Sequence, residues 1–214
     1  MGPSERNIIT QKTARYYAAG IPSNKIKSIW VVIHGYGQLA ENFIQQFDFL
    51  VNEDTLVIAP EGLSKFYTGN KVGASWMTKE DRENEIKDYL SYLDLVLKDV
   101  SKEIDYLNVK VNILGFSQGV HTAVRWFTLS GNEFDSLYLC SDDFPKDTDF
   151  DKLKTKLNGS KMFFIYGDAD GIIPQTTFDN SVQMMKEQGL NFETIIFEGK
   201  HIIHTDTIKK LAGI

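Results

Sequence analysis

A serine hydroxyl near its ordinary pKa attacks a carbonyl poorly and needs a base to take its proton. One stretch of this 214-residue chain is built for that chemistry: Gly115-Phe116-Ser117-Gln118-Gly119. The apolar run VNIL precedes it and QGVHTAVRWFTL follows. The pattern G-x-S-x-G in that context predicts a sharp strand-to-helix turn with the serine at its apex. Small residues two before and two after Ser117 let strand and helix approach closely. The turn also aims backbone N–H groups and the N-terminus of the helix at the reaction centre.

Histidine suits the base, because its pKa lies near neutrality. There are four: His34, His121, His201 and His204. His121 lies one helical turn after Ser117 and should run along the helix rather than face the hydroxyl. His34 ends a strand in HGYG, where structural packing is expected. Where this motif is used, an acid and then a histidine follow the serine in the chain. His201 follows the strand-like run FETIIF, at a strand's carboxyl end, and is the expected base. His204, three residues on, is expected to be structural and to open the last helix. The acid orients the imidazole and stabilises imidazolium. It should come from the loop after KMFFIYG, where Asp168 and Asp170 both qualify. Spacing does not separate them. Asp142 and Asp143, after SLYLC, read as a solvated loop.

The elements that must hold these residues alternate along the chain. Short apolar runs at 28–34, 55–60, 109–115, 136–140, 161–167 and 192–197 predict strands buried on both faces, as in a parallel sheet. Residues 9–19 alternate polar and apolar and predict an edge strand or half of a hairpin. Helical periodicity is clearest over 82–102, where Ile86, Tyr89, Leu90, Leu93, Val96, Leu97 and Val100 recur at spacings of three and four. Helices are also expected at 41–51, 118–129, 175–188 and 206–211. The alternation implies an α/β, mostly parallel, doubly wound sheet with helices on both faces, in one domain over residues 1–214. Segments 61–79 and 141–151 read as long loops after strands, on the side where such sheets bind ligands. Only residues 141–160 separate two strands after the serine's helix, so no large cap is expected.

Composition narrows the partners. The net charge of −6 argues against nucleic acid or an anionic membrane as the main partner. A single cysteine, Cys140 in an apolar run, rules out an intrachain disulfide and reads as a buried hydrophobe in a reducing compartment. The N-terminal residues lack the apolar core of a signal peptide, and no segment has the ~20 apolar residues that span a bilayer. A cytoplasmic location without membrane insertion is the default expectation. Nothing in the sequence marks an oligomeric state.

These motifs resemble those of the carboxylesterase/phospholipase group of α/β-hydrolases, which includes bacterial carboxylesterases and acyl-protein thioesterases. The resemblance spans residues 28–203 and rests on HGYGQ at 34–38, GFSQG at 115–119, GDADGIIP at 167–174 and FEGKH at 197–201. It implies a catalytic triad of Ser117, Asp170 and His201. It singles out Asp170, four residues before Pro174, and makes Asp168 a loop cap. It also implies an oxyanion hole made by the backbone N–H groups of Tyr36 and Gln118. The implied activity is hydrolysis of small carboxylic esters or thioesters through an acyl-enzyme, with no metal or organic cofactor. Two segments depart from the family pattern: YTGNKVGASWM at 67–77, and the acidic CSDDFP at 140–145. Phe66, Tyr67, Trp76 and Met77 are the expected acyl-side lining. The alternatives from other classes are a ligand-sensing protein on the same scaffold and a peptidase or acyltransferase with the same triad. The complete triad speaks against the first, and the absence of a separate specificity domain against the peptidase.

Overall fold

The computed structural model of the chain describes residues 2–104 and 108–214. Seven strands form the central sheet, in the order β1-β3-β2-β6-β7-β8-β9. They are β1 (Tyr16–Ala19), β2 (Ser28–Ile33), β3 (Thr55–Pro60), β6 (Lys110–Phe116), β7 (Ser136–Cys140), β8 (Lys161–Gly167) and β9 (Glu193–Phe197). Every pairing is parallel except that of the edge strand β1 with β3. The helices are α1 (Ala40–Ile44), α2 (Arg82–Val100), α3 (Gln118–Leu129), α4 (Phe150–Lys156), α5 (Gln175–Glu187) and α6 (Thr205–Ala212).

The apolar runs are strands because each feeds two cores at once. In β2, Ile29, Val31 and Ile33 face one core while Trp30 and Val32 face the other. The first core is closed by α2, α3, α4 and α5 through residues such as Leu93, Trp126, Leu153 and Phe178. The second is closed by α1, α6 and the turn between α1 and β3, through Phe43, Phe47 and Ile208. Helices therefore cover both faces, as the alternation of the sequence requires. Only α4 stands between β7 and β8, and among the described residues no cap domain covers the carboxyl edge of the sheet. Among the described residues, no helix is long and apolar enough to cross a membrane.

Three expectations change. The strand expected over 9–19 shrinks to β1, because its partner β3 ends at Pro60, which faces Tyr16. Ile8 and Ile9 remain exposed. The helix expected over 41–51 is α-helical only through Ile44 and tightens into a 3₁₀ helix over Gln45–Leu50. The segment expected as a long loop, 61–79, contains a hairpin of β4 (Ser64–Thr68) and β5 (Lys71–Ser75). Its turn is Gly69-Asn70, between the paired residues Thr68 and Lys71, with Gly69 at φ 60°. A two-residue Gly-Asn link is a hairpin signal.

Backbone meets backbone closely where α3 crosses β2 and β6. A Cβ on Gly119 would stand 2.1 Å from the Ile33 carbonyl oxygen, and one on Gly115 would stand 2.5 Å from the Gly119 carbonyl oxygen. Both obstacles are backbone, which does not rotate away. Gly119→Ala should therefore lower the unfolding free energy by about 3 kcal/mol or more. A reduced urea midpoint at unchanged slope checks this; a midpoint equal to that of the unsubstituted protein contradicts the contact.

Candidate active site

The glycine contact forces a sharp reversal at Ser117. Its backbone sits at φ 50°, ψ −130°, a conformation that L-residues rarely hold. The Ser117 N–H donates to the Cys140 carbonyl at 2.9 Å, tying the turn to β7. The hydroxyl is thereby carried at the carboxyl edge of the sheet, at the start of α3.

Two neighbouring loops deliver the imidazole and the carboxylate. His201 Nδ1 lies 2.8 Å from Asp170 Oδ2, and the Asp170 side chain is fully buried. The other carboxylate oxygen accepts from the backbone N–H groups of Ile172 at 2.8 Å and Ile173 at 3.0 Å. Two backbone donors thus meet this buried acid on one oxygen, and the imidazole Nδ1 meets it on the other. Asp168 acts on the backbone instead, since its Oδ1 accepts from the Gly199 N–H at 3.0 Å. That bond, with Ala169 N–H to the Gly199 carbonyl at 2.8 Å, staples the acid loop to the loop bearing His201. The two aspartates that spacing does not separate are thus separated by their contacts. The imidazole packs 4.9 Å from the ring of Phe116, the residue before Ser117. Among the described residues no hydrogen bond joins the Ser117 hydroxyl to His201; such contacts commonly tighten only when substrate binds.

The loop His34–Gln38 approaches from the other side. A Cβ on Gly35 would meet Ser117 Cβ at 3.0 Å, so glycine lets the loop reach Ser117. The Gly35 N–H donates to Gln38 Oε1 at 2.7 Å, the Gly37 N–H to the Ala74 carbonyl at 2.9 Å, and the Gln38 N–H to the Gly35 carbonyl at 3.2 Å. Among the described residues, this leaves the Tyr36 amide as the one N–H of Gly35–Gln38 without a protein acceptor. The Gln118 amide belongs to the first turn of α3, where helical N–H groups lack intrahelical acceptors.

The four expected lining residues separate. The Phe66 ring stacks on that of Tyr36 with centroids 4.9 Å apart. Tyr67, next along β4, turns outward and is 80% exposed. Trp76 is corrected: it is 1% exposed, and its indole N–H donates to the His34 carbonyl at 2.8 Å, so it is a core support. Met77 is half-buried, with its sulfur 3.6 Å from an Arg125 guanidinium nitrogen.

The remaining histidines are held by structural bonds. His34 is fully buried; Nδ1 donates to the Gly35 carbonyl at 2.8 Å and Nε2 accepts from the Gly62 N–H at 3.0 Å. Burial pushes its pKa below the ordinary imidazole value. His204 caps α6 and stacks on Phe197. His121 pairs with Asp143 at 2.7 Å, which holds the Asp143 carboxyl below its ordinary pKa. Asp142 beside it is pushed up by burial. These two aspartates are half-buried, not the solvated loop expected of them, because the loop after β7 folds down onto α3. The side chains that sequence reasoning missed are those of Gln38 and Gln118, which bond the site's own backbone.

Comparison with known proteins agrees with this architecture. A family model described as phospholipase/carboxylesterase matches residues 18–213. No curated protein matches the sequence. Among solved structures, acyl-protein thioesterase 2 of Zea mays is similar at 17% identity and TM-score 0.69, covering 94% of this chain and 97% of its own. The Bacillus cereus carboxylesterase is similar at 15% identity and TM-score 0.67, covering 94% and 92%. A phospholipase/carboxylesterase from Dyadobacter fermentans is similar at 16% identity and TM-score 0.65, covering 97% and 98%.

The buried His34 makes stability depend on pH. Its folded pKa is lowered, so between that value and about 6.5 the unfolded chain binds more protons. This contribution is complete above about pH 6.5 and is lost as pH falls through the folded value. The urea midpoint should drop from pH 7 to pH 5, and the His34 Cε1 proton should titrate in the folded protein at a lower pH than in the unfolded chain. A His34 that titrates at or above 6.5 contradicts the assignment.

Proposed function

The chain belongs to the phospholipase/carboxylesterase family, and on that premise we propose that it hydrolyses carboxylic esters or thioesters with Ser117, His201 and Asp170 as its triad. Ser117 Oγ attacks the carbonyl carbon while His201 Nε2 takes its proton. Asp170, bonded to Nδ1–H, fixes the tautomer and stabilises the imidazolium. The carbonyl oxygen becomes an oxyanion received by the amides of Tyr36 and Gln118. His201 then protonates the departing alcohol or thiol, leaving an acyl-enzyme. Water attacks that ester as His201 takes its proton, and the tetrahedral intermediate then breaks its bond to Ser117 Oγ, which receives the proton back from His201 Nε2 as the carboxylic acid leaves. No step in this route calls on a metal or organic cofactor.

The observation that carries the reading is the 2.8 Å bond from His201 to the buried carboxylate of Asp170, at the sheet edge where Ser117 holds its strained turn. The missing cap leaves the edge open, which suits esters of modest size. The stacked rings of Tyr36 and Phe66 offer the acyl group an apolar surface beside the oxyanion loop.

Ser117→Ala should lower the hydrolysis of short p-nitrophenyl esters by at least about a thousandfold. A rate within tenfold of the unsubstituted protein removes Ser117 from the mechanism. Asp170→Asn should cost on the order of a thousandfold through loss of the imidazole tautomer, whereas Asp168→Asn, which loosens a loop staple, should cost less than about tenfold. Equal losses at the two positions contradict the separation of their roles.

A further inference from the structure

The Gln118 side chain does not turn towards the reaction centre. Its Oε1 accepts from the Trp76 N–H at 3.2 Å, and its Nε2 donates to the Met77 carbonyl at 2.9 Å. The Ser75 hydroxyl lies within hydrogen-bond distance of both amide atoms, at 3.1 and 3.2 Å. Ser75 is 1% exposed, so water competes little for these bonds. One side chain at the start of α3 thus grips the end of β5.

From that grip, β5 runs to the other oxyanion donor. The Gly37 N–H donates to the Ala74 carbonyl at 2.9 Å, and the Ala74 N–H donates to the Gln38 carbonyl at 3.2 Å. The Trp76 indole donates to the His34 carbonyl at 2.8 Å, so β5 and the residue after it hold the loop before and after Tyr36. The two backbones meet so closely that a Cβ on Gly73 would stand 2.7 Å from the Gly37 carbonyl oxygen. The circuit is closed: Gln118 to Ser75–Met77, along β5 to Gly37 and Gln38, and through Tyr36 back to the oxyanion site.

We propose that the Gln118 side chain is a positioning group for the oxyanion hole, using the β4–β5 hairpin as a strut that sets the separation of the Tyr36 and Gln118 amides. The proposal rests on the reading of Ser117 as nucleophile and of those amides as oxyanion donors. The Tyr36 loop carries two glycines, Gly35 and Gly37, and has no helix or strand of its own. Its geometry is therefore lent by the strut. A donor displaced by a fraction of an ångström loses most where the charge is greatest, in the tetrahedral state, and little in the ground state.

The test compares the unsubstituted protein with Ser117→Ala, Gln118→Ala and Ser75→Ala. The substitution at 118 keeps the backbone N–H, and that at 75 removes one arm of the grip. Readouts are kcat and KM on p-nitrophenyl butyrate, and inhibition by an alkylboronic acid. In that inhibition Ser117 Oγ bonds to boron, its proton passes to His201, and a boronate oxygen takes the place of the oxyanion. Gln118→Ala should lower kcat by about tenfold to a hundredfold, with KM changed less than about threefold. Boronate affinity should weaken by a matching factor. Ser75→Ala should shift kcat and boronate affinity in the same direction by about threefold to tenfold, and it decides the matter if the variant at 118 does not fold. Unchanged kcat in the folded variants, or a fall in kcat with boronate affinity intact, overturns the positioning role. Full activity in Ser117→Ala instead overturns the underlying reading of the site, and the two failures are told apart by that control.

Discussion

The close crossing of α3 over β2 and β6 is the constraint on which the site depends. Gly115 and Gly119 leave no room for a Cβ, and the backbone between them must reverse within Ser117. A non-glycine residue at φ 50° costs on the order of 1–3 kcal/mol, which the surrounding sheet must offset. The offset comes from a core shared by both faces of the sheet and from the Ser117 N–H bond to Cys140. The turn sets Ser117 between the end of β6 and the first residues of α3.

Around that fixed point the other groups arrive on loops, and each loop is bonded to its neighbour. Asp168 and Ala169 join the acid loop to the His201 loop. His121 and Asp143 join α3 to the loop after β7. The hairpin joins the His34–Gln38 loop to Gln118. Mobile loops would lose rate by misplacing their groups by an ångström; cross-bonding makes them part of the scaffold without covering the site.

Much of this is legible in the sequence, for identifiable reasons. Parallel strands buried on both faces read as unbroken apolar runs, so β2, β3, β6, β7 and β8 stand out. The residues around Ser117 carry the local signature of the turn itself. His201 is legible by its address after β9, and Asp170 only through family resemblance, since Asp168 has the same address. The hairpin is harder: SKFYT and KVGAS are short, polar and weakly alternating, and Gly69-Asn70 is their one signal. Trp76 misleads because an aromatic residue in a loop looks like a pocket wall. Its partner, the His34 carbonyl, is 42 residues away, as is the amide oxygen of Gln118 that its own N–H meets. Contacts of that range follow from the assembled sheet and have no local pattern.

On the proposed reading, three loops and one helix start converge on a single tetrahedral centre at Ser117. A crystal structure of the protein inactivated by an alkyl fluorophosphonate would show that centre. Phosphorus should be bonded to Ser117 Oγ, with one phosphonyl oxygen about 2.7–3.1 Å from both the Tyr36 and Gln118 amides, and His201 Nε2 should face the adduct while Nδ1 stays on Asp170. An adduct oxygen turned to solvent away from those amides, or an imidazole detached from Asp170, contradicts it.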